Sequence, residues 1–317
     1  MDLSQAHLDA LVAIADTGSF EAAARVLHIT PSAVSQRIRA LEADAGQVLV
    51  SRGTPCRPTA PGERLVRLGR QVRLLQDEAR EELGAEAAVS LPVAVNADSL
   101  ATWFRDVLAE AAGPAAGWSA TSVQLYVEDQ AHSQELLRRG EVLAAVTSDG
   151  TAVQGCAVEF LGALRYVPAA SPGLAARFQR ADGMTSDGPD WATMPMLMFN
   201  EKDQMQDEAL ARLGVTRPPV VHRVPSSADF FEAVRLGLGW GMLPDLQAAP
   251  DLAAGQLVRL PGQVASVPLY WQRWRLESPR LNRLTHAVRR AAGRHLQYLP
   301  GGPAQGRQAA VHVVRGR

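Results

Sequence analysis

Between Thr30 and Arg39 the chain reads T-P-S-A-V-S-Q-R-I-R, and its polar members are groups that hydrogen-bond base edges and phosphates in a major groove. Val34, Ile38 and Leu41 recur at helical spacing and make one apolar stripe. Ser32, Gln36 and Arg39 fall on the opposite face, with Ser35 on its flank. Such a face on an isolated amphipathic helix is ordinarily just solvated. Three signals mark this helix as placed on purpose. Thr30 is positioned to cap it, Pro31 follows where a missing N–H costs nothing, and Ile29 and Val34 are spaced as a hydrophobic staple.

A second set of polar groups follows apolar, strand-like runs: Asn96, Asp98 and Ser99; Glu128 and Asp129; Thr147 and Ser148; Asn200 and Asp203; Ser226 and Ser227. Ligands of open α/β sheets bind beyond the C-terminal strand ends. Helix N-termini at Ser99 and Ser227 offer N–H groups to a carboxylate, and Asp98, Glu128, Asp129 or Asp203 suits a cationic group. For any one of these acids a helix cap or a surface charge is the commoner role. Their concentration at one edge favours a site.

The elements that position these groups follow from periodicity. Leu8, Leu11, Val12 and Ala15 form a first helix ended by Gly18. Ala22, Ala23 and Ala24 make the next helix thin enough for close approach, and only a few residues separate it from Thr30. Ser19 to Arg39 is therefore a helix-turn-helix. Val48 and Val50 alternate around Leu49 like a short strand, and Gly53, Pro55 and Pro58 mark turns. That pattern adds a wing carrying Arg52 and Arg57, suited to phosphate or minor-groove contact. From Thr59-Ala60-Pro61 a long helix runs to about Glu82, with Leu65, Leu68, Val72, Leu75 and Ala79 as a heptad seam. A seam this thin, joined to a DNA reader, suits a dimer contact on two-fold DNA sites.

Residues 84–90 are small and polar enough for a hinge, and strands then alternate with helices from Leu91 onward. The pattern restarts at Pro195 and closes with a helix from Pro279 to Leu296, predicting two α/β lobes with a cleft between them. The fold class is thus an N-terminal all-α winged helix-turn-helix with a long linker helix, then a C-terminal two-lobed α/β domain. Expected boundaries are 1–59 for the DNA reader, 60–84 for the linker, 91–298 for the lobes (the second about 168–265) and 299–317 for a mobile tail.

Composition narrows the function. The chain has 317 residues, 47% hydrophobic and 21% charged, as in soluble globular proteins. No apolar run is long enough for a bilayer and M-D-L-S-Q-A-H is no secretory leader, so a cytoplasmic, nucleoid-associated protein is expected. Cys56 and Cys156 fit no metal spacing, and neither metal nor cofactor is expected. Net charge is −1, yet nine arginines (25, 37, 39, 52, 57, 64, 67, 70 and 73) oppose only Glu42, Asp44 and Glu63 in one stretch. That surplus suits a phosphate-tracking surface. Lys202 is the only lysine. No G-x-S-x-G, phosphate loop or clustered histidines support an enzyme, and G-L-G-W-G at 237–241 is too short for a dinucleotide site.

The stretch S-F-E-A-A-A-R-V-L-H-I-T-P-S-A-V-S-Q-R-I-R-A-L-E resembles the signature of LysR-type transcriptional regulators, and A-P-G-E-R-L resembles the start of their linker helix. V-N-A-D-S-L-A-T-W, V-E-D-Q, L-R-R-G-E-V and L-Y-W-Q-R resemble the ArgP/LysG subgroup. The resemblance covers nearly the whole chain except its final tail. It implies a periplasmic-binding-like effector domain, lysine, arginine or histidine as effector, and activation of a basic amino-acid export gene. It further implies promoter DNA, a homodimer or homotetramer, and RNA polymerase as partners, with no membrane. The alternatives are another effector with other genes, or an architectural or origin-binding DNA protein without effector control. F-N-E-K-D at 199–203, which sets Lys202 among acids, departs from a plain cation site.

Overall fold

The computed structural model describes residues 3–84, 88–113, 118–119, 121–127, 130–179 and 188–297. Three helices open the chain: α1 (Gln5–Thr17), α2 (Phe20–Val26) and α3 (Pro31–Ala45). Their ends are where side-chain chemistry puts them. Gly18 and Gly46 take left-handed conformations after α1 and α3, while Ser19 and Thr30 accept hydrogen bonds from the N–H groups of Ala22 and Ala33. Leu11, Ile14, Ala23, Val34, Ile38 and Leu41 close one small core.

The wing pairs β1 (Val50–Ser51) with β2 (Arg57–Pro58). Alternation around Leu49 does not hold: Leu49 and Val50 are both buried and Val48 is 65% exposed, so the strand begins at Val50. The cause is the C-terminal turn of α3, where the Glu42 carboxylate accepts from Leu49 N–H at 2.9 Å and from Val50 N–H at 3.3 Å.

The linker helix α4 (Ala60–Glu82) shows three faces. Gly62, Val66 and Gly69 meet the reading head; a Cβ at Gly62 would lie 2.0 Å from the Leu49 carbonyl oxygen, and one at Gly69 2.9 Å from Val12 Cγ2. Arg67, Arg70, Leu74 and Glu78 lie at helical spacing against the first lobe. Of the expected heptad seam, Leu65 packs against the head's core, while Leu68 and Val72 are half-buried and Leu75 is 39% exposed.

The first lobe begins β3 (Val89–Val95), α5 (Ala97–Ala101), α6 (Arg105–Ala112), β4 (Thr121–Val127), α7 (Gln130–Arg139) and β5 (Ala144–Thr147). Then comes β6 (Cys156–Ala170), the longest strand and one that the sequence pattern does not predict. The second lobe contains α8 (Pro172–Arg177), β7 (Met196–Met198), α9 (Met205–Arg212), β8 (Val221–Arg223), α10 (Ser227–Arg235), β9 (Gly241–Pro244), α11 (Asp245–Ala253) and β10 (Val258–Arg259). The chain returns through β11 (Ala265–Trp274) and ends in α12 (Pro279–His295), which packs on α6. Helix formation around Leu100 to Leu108 is broken into α5 and α6 instead of running through.

The main sheet has the order β10-β6-β11-β5-β3-β4, with β9 also on β6; β7 and β8 form a parallel pair joined to the run before β9 by a Met196–Trp240 bridge. β6 and β11 pair antiparallel from Ala265–Tyr166 to Trp274–Cys156 and carry the chain between lobes. Trp240 and Trp271 are fully buried, the core role that their apolar surroundings favour.

Candidate functional site

On α3, Ser32, Gln36 and Arg39 are exposed and Ser35 is half-buried, while Val34, Ile38 and Leu41 are sealed in the core. Thr30 Oγ accepts from Ala33 N–H at 3.2 Å and lies 2.9 Å from Ser32 Oγ, so its hydroxyl orders the start of the helix. Arg52 and Arg57 are exposed on the wing, and the Arg52 guanidinium sits 5.8 Å from the centre of the Phe20 ring.

The expected nine-arginine surface is smaller than the charge count implies. Arg70 pairs with Asp16 and Arg73 with Asp9 at 3.0 Å, and Arg67 donates to the Gln154 carbonyl at 3.0 Å. Those three are engaged within the chain, Arg70 and Arg73 by the acids of α1 and Arg67 by the loop after β5. Among the described residues, Arg25, Arg37, Arg39, Arg52, Arg57 and Arg64 have no ion pair and stay available to phosphates. Glu42 is withdrawn from that surface by its bonds to the wing backbone.

Between the lobes, Asp98 is the meeting point. Its Oδ2 accepts from the Tyr166 hydroxyl at 2.8 Å and its Oδ1 from the Ser227 hydroxyl at 2.7 Å. The three residues come from α5 of the first lobe, the crossing strand β6 and the start of α10 in the second. Burial pushes the Asp98 carboxyl above its ordinary range; the two hydroxyls pull it back in part, and the charge of Asp203 pushes it further up. Burial first, and then the Asp98 charge, hold the Tyr166 phenol well above its usual value. Among the described residues no cation acts on Asp98.

The remaining expected groups divide. Asp203 accepts from Phe199 N–H at 2.9 Å and Met205 N–H at 3.1 Å, shaping the loop before α9 near Asp98. Asn96 accepts from Ser99 N–H at 2.8 Å, so the free N–H expected at Ser99 is already taken; the buried Ser99 hydroxyl has no partner among the described residues. Ser226 caps α10 through Asp229 N–H at 3.4 Å. Thr147 turns its hydroxyl to the Asp149 carbonyl at 2.9 Å and receives Gln272 Nε2 at 3.3 Å. Glu128 and Asp129 lie outside the described residues, as do residues 85–87 of the expected hinge and the tail at 299–317.

Two residues of the cleft region escaped sequence reasoning. Tyr166 sits on the unpredicted strand. Gln272, fully buried, donates to the carbonyls of Asp149 and Thr151 at 3.0 Å each and accepts from Val153 N–H at 3.1 Å, fixing the loop after β5. An amide in the apolar run V-P-L-Y-W-Q-R-W was the available signal, since a buried amide must be satisfied.

Comparison with known proteins places these features. Residues 6–63 match the bacterial regulatory helix-turn-helix protein family, lysR family, and residues 115–293 match the LysR substrate binding domain. The lysine export transcriptional regulatory protein LysG of Corynebacterium efficiens is 53% identical over 290 residues, spanning 90% of this chain and 97% of the relative. Full-length LysG from Corynebacterium glutamicum with bound effector Arg superposes with a TM-score of 0.78 at 46% identity, over 93% of this chain and 100% of the other. ArgP from Mycobacterium tuberculosis gives a TM-score of 0.82 at 43% identity, over 94% of this chain and 100% of the other.

Proposed function

The chain belongs to the LysR family of DNA-binding transcriptional regulators, and from that premise we propose that a basic amino acid bound between its lobes controls an amino-acid export gene. The observation that carries this reading is Asp98: a desolvated carboxylate at the lobe junction, held by two neutral hydroxyls and by no cation among the described residues. A guanidinium or ammonium arriving there exchanges neutral contacts for a charge-assisted pair. Asp203 adds to the negative potential, and the acidic pair Glu128 and Asp129 follows β4 directly in the sequence. The effector carboxylate is assigned to the start of α10 at Ser226 and Ser227, with Asn96, Ser99 and Thr147 holding the surrounding loops. The arginine bound by the Corynebacterium glutamicum relative supports a basic amino acid as the effector class.

DNA is read by Ser32, Ser35, Gln36 and Arg39 in the major groove, with Thr30 ordering the helix start and Arg52 and Arg57 on adjacent backbone. Leu65, Leu68, Val72 and Leu75 pair two linker helices, so that a homodimer, or two of them, spans a two-fold promoter site in the cytoplasm. As an activator the protein also meets RNA polymerase. Control is linkage: an effector that prefers one lobe arrangement shifts the spacing of the two reading helices.

Thermal melting with L-arginine, L-lysine and L-histidine, followed by promoter footprints with and without each, tests the reading. At least one is expected to raise the melting temperature and alter the footprint. If all three leave melting unchanged while a non-basic metabolite raises it, the effector assignment is wrong.

A further inference from the structure

At the polar corner where the reading head, the linker helix and the first lobe meet, one side chain touches both the head and the lobe. Arg70 of α4 is 17% exposed at its side chain, and its guanidinium divides between two partners. Nη1 donates to the carbonyl of Arg139, the last residue of α7, at 3.0 Å, and Nη2 pairs with Asp16 in the last turn of α1. Both partners lie at helix C-terminal ends, where unpaired carbonyls carry partial negative charge. Asp16 is unfavourably placed for its own helix dipole, and the guanidinium offsets this.

Close approach at this corner is built in. α7 ends at Gly140 with φ +73°, and a Cβ there would lie 3.0 Å from both Arg67 Cα and Trp274 Cζ2. Open clefts lie beside the guanidinium. One cavity of about 490 Å³ and another of about 390 Å³ flank it, both lined by Ala15, Asp16, Arg70 and Glu141. The opposite end of α4 is different. There the buried Glu78 accepts from Ser278 Oγ at 2.6 Å and Arg280 N–H at 3.2 Å, and Arg280 pairs with Glu81 at 2.7 Å. α4 is thus anchored to the first lobe through buried groups at one end, while at the other it is joined by polar contacts alone: Arg67 on the Gln154 carbonyl, Glu63 3.7 Å from the Arg139 guanidinium, and Arg70, which of these three also holds the reading head.

We propose that Arg70 is the positioning residue through which the first lobe sets the attitude of the reading head, a role that rests on the effector reading above. α7 is tied to the loop after β5 by Gln134 Nε2, which donates to Asp149 Oδ2 at 2.9 Å, and the same loop is held by Thr147 and Gln272. A shift of that loop moves α7 against α4, and the Arg139 carbonyl moves with it. Arg70 holds both helix ends because a guanidinium fork has donors in two directions. Lysine presents a point charge without that fork. Arg70 contacts neither the DNA face nor Asp98.

The test uses full-length protein and the promoter fragment it protects in footprints. Duplex affinity is measured with and without saturating L-arginine, and L-arginine affinity separately. Wild type is expected to change promoter affinity on adding L-arginine by a factor within about 5–150, the usual range of coupling between sites. Arg70→Ala keeps each separate affinity within about threefold, yet its coupling factor falls to less than about half the wild-type value, the remainder passing through Arg67 and Glu63. Arg70→Lys keeps part of the factor. The exchange Asp16→Arg with Arg70→Asp does not restore it, because a carboxylate cannot donate to the Arg139 carbonyl. Full coupling in Arg70→Ala overturns the proposal. Should that variant fail to fold, Asp16→Asn takes its place, and an undiminished factor there overturns the proposal equally. If L-arginine fails to bind or to change promoter affinity in wild type, the effector reading fails by itself. Amide exchange then decides: Arg70→Ala is expected to speed it about tenfold in the last turns of α1 and α7, and unchanged rates overturn the proposal.

Discussion

The reading helix and the lobe junction solve opposite problems. Ser32, Gln36 and Arg39 stand exposed on one regular helix, while Asp98 meets partners 68 and 129 residues away in the sequence. A DNA duplex is large, rigid and already charged, so its reader leaves donors unpaired in water at little cost to folding. A small metabolite must be enclosed. The groups that will hold it are desolvated beforehand and have to satisfy one another while they wait. The head can therefore lose its polar face and stay folded, whereas the junction carries a carboxylate that opposes folding.

The largest expected effect lies at the head. Gln36→Ala with Arg39→Ala is expected to weaken specific promoter binding by about 2–6 kcal/mol, at about 1–3 kcal/mol for each lost base contact. Melting should stay near wild type, and gel-shift titration against specific and random duplexes reads the result. Unchanged selectivity would break the comparison at its first term. Next comes Asp98→Asn, which keeps a hydrogen-bonding oxygen but removes the charge. Calorimetry is expected to show L-arginine binding weaker by at least about 2 kcal/mol, the low end for breaking a desolvated charge pair, with promoter affinity of the free protein retained.

A smaller effect is expected for Arg52→Ala. Affinity should fall a few-fold for every sequence, and the salt slope should drop by about one, the signature of a lost phosphate contact. A selective loss for one sequence would move Arg52 into base reading. The subtlest test concerns pH. Because the Asp98 carboxyl is raised in the folded state, the stability it contributes is present below the ordinary carboxylate range and is lost as pH rises through the raised value. Asp98→Asn should therefore gain stability relative to wild type at neutral pH, with the gain shrinking on acidification. Melting curves across pH read it; a gain that grows on acidification would mean that the charge favours folding.

Legibility in the sequence follows the same division. The head announced itself through neighbours: Thr30 before Pro31, Gly18 after a helix, Ala22 to Ala24 where helices touch. These are local signals with local causes. β6 was hidden because it is buried over much of both faces, which erases the alternation that marks a strand, and Gly162 interrupts it. With β6 went Tyr166. Counting arginines failed at Arg70 and Arg73 for another reason, since charge along a sequence carries no direction and their partners lie on α1. Asp98 was legible as a candidate; its bridging of two lobes was not, because only tertiary structure brings Ser227 to it.

The paired crossing strands constrain how the lobes can move. At Leu269/Tyr270 the register of β11 against β6 slips, leaving Leu161 as an extra residue beside Gly162, whose φ is +130°. Elsewhere along that ribbon the two strands keep an unbroken register of backbone hydrogen bonds. A bulged rung resists bending less than an intact one, so the least stiff point of the connection between the lobes lies at Gly162 opposite Leu269, and any small bend there is magnified toward a lobe's far rim.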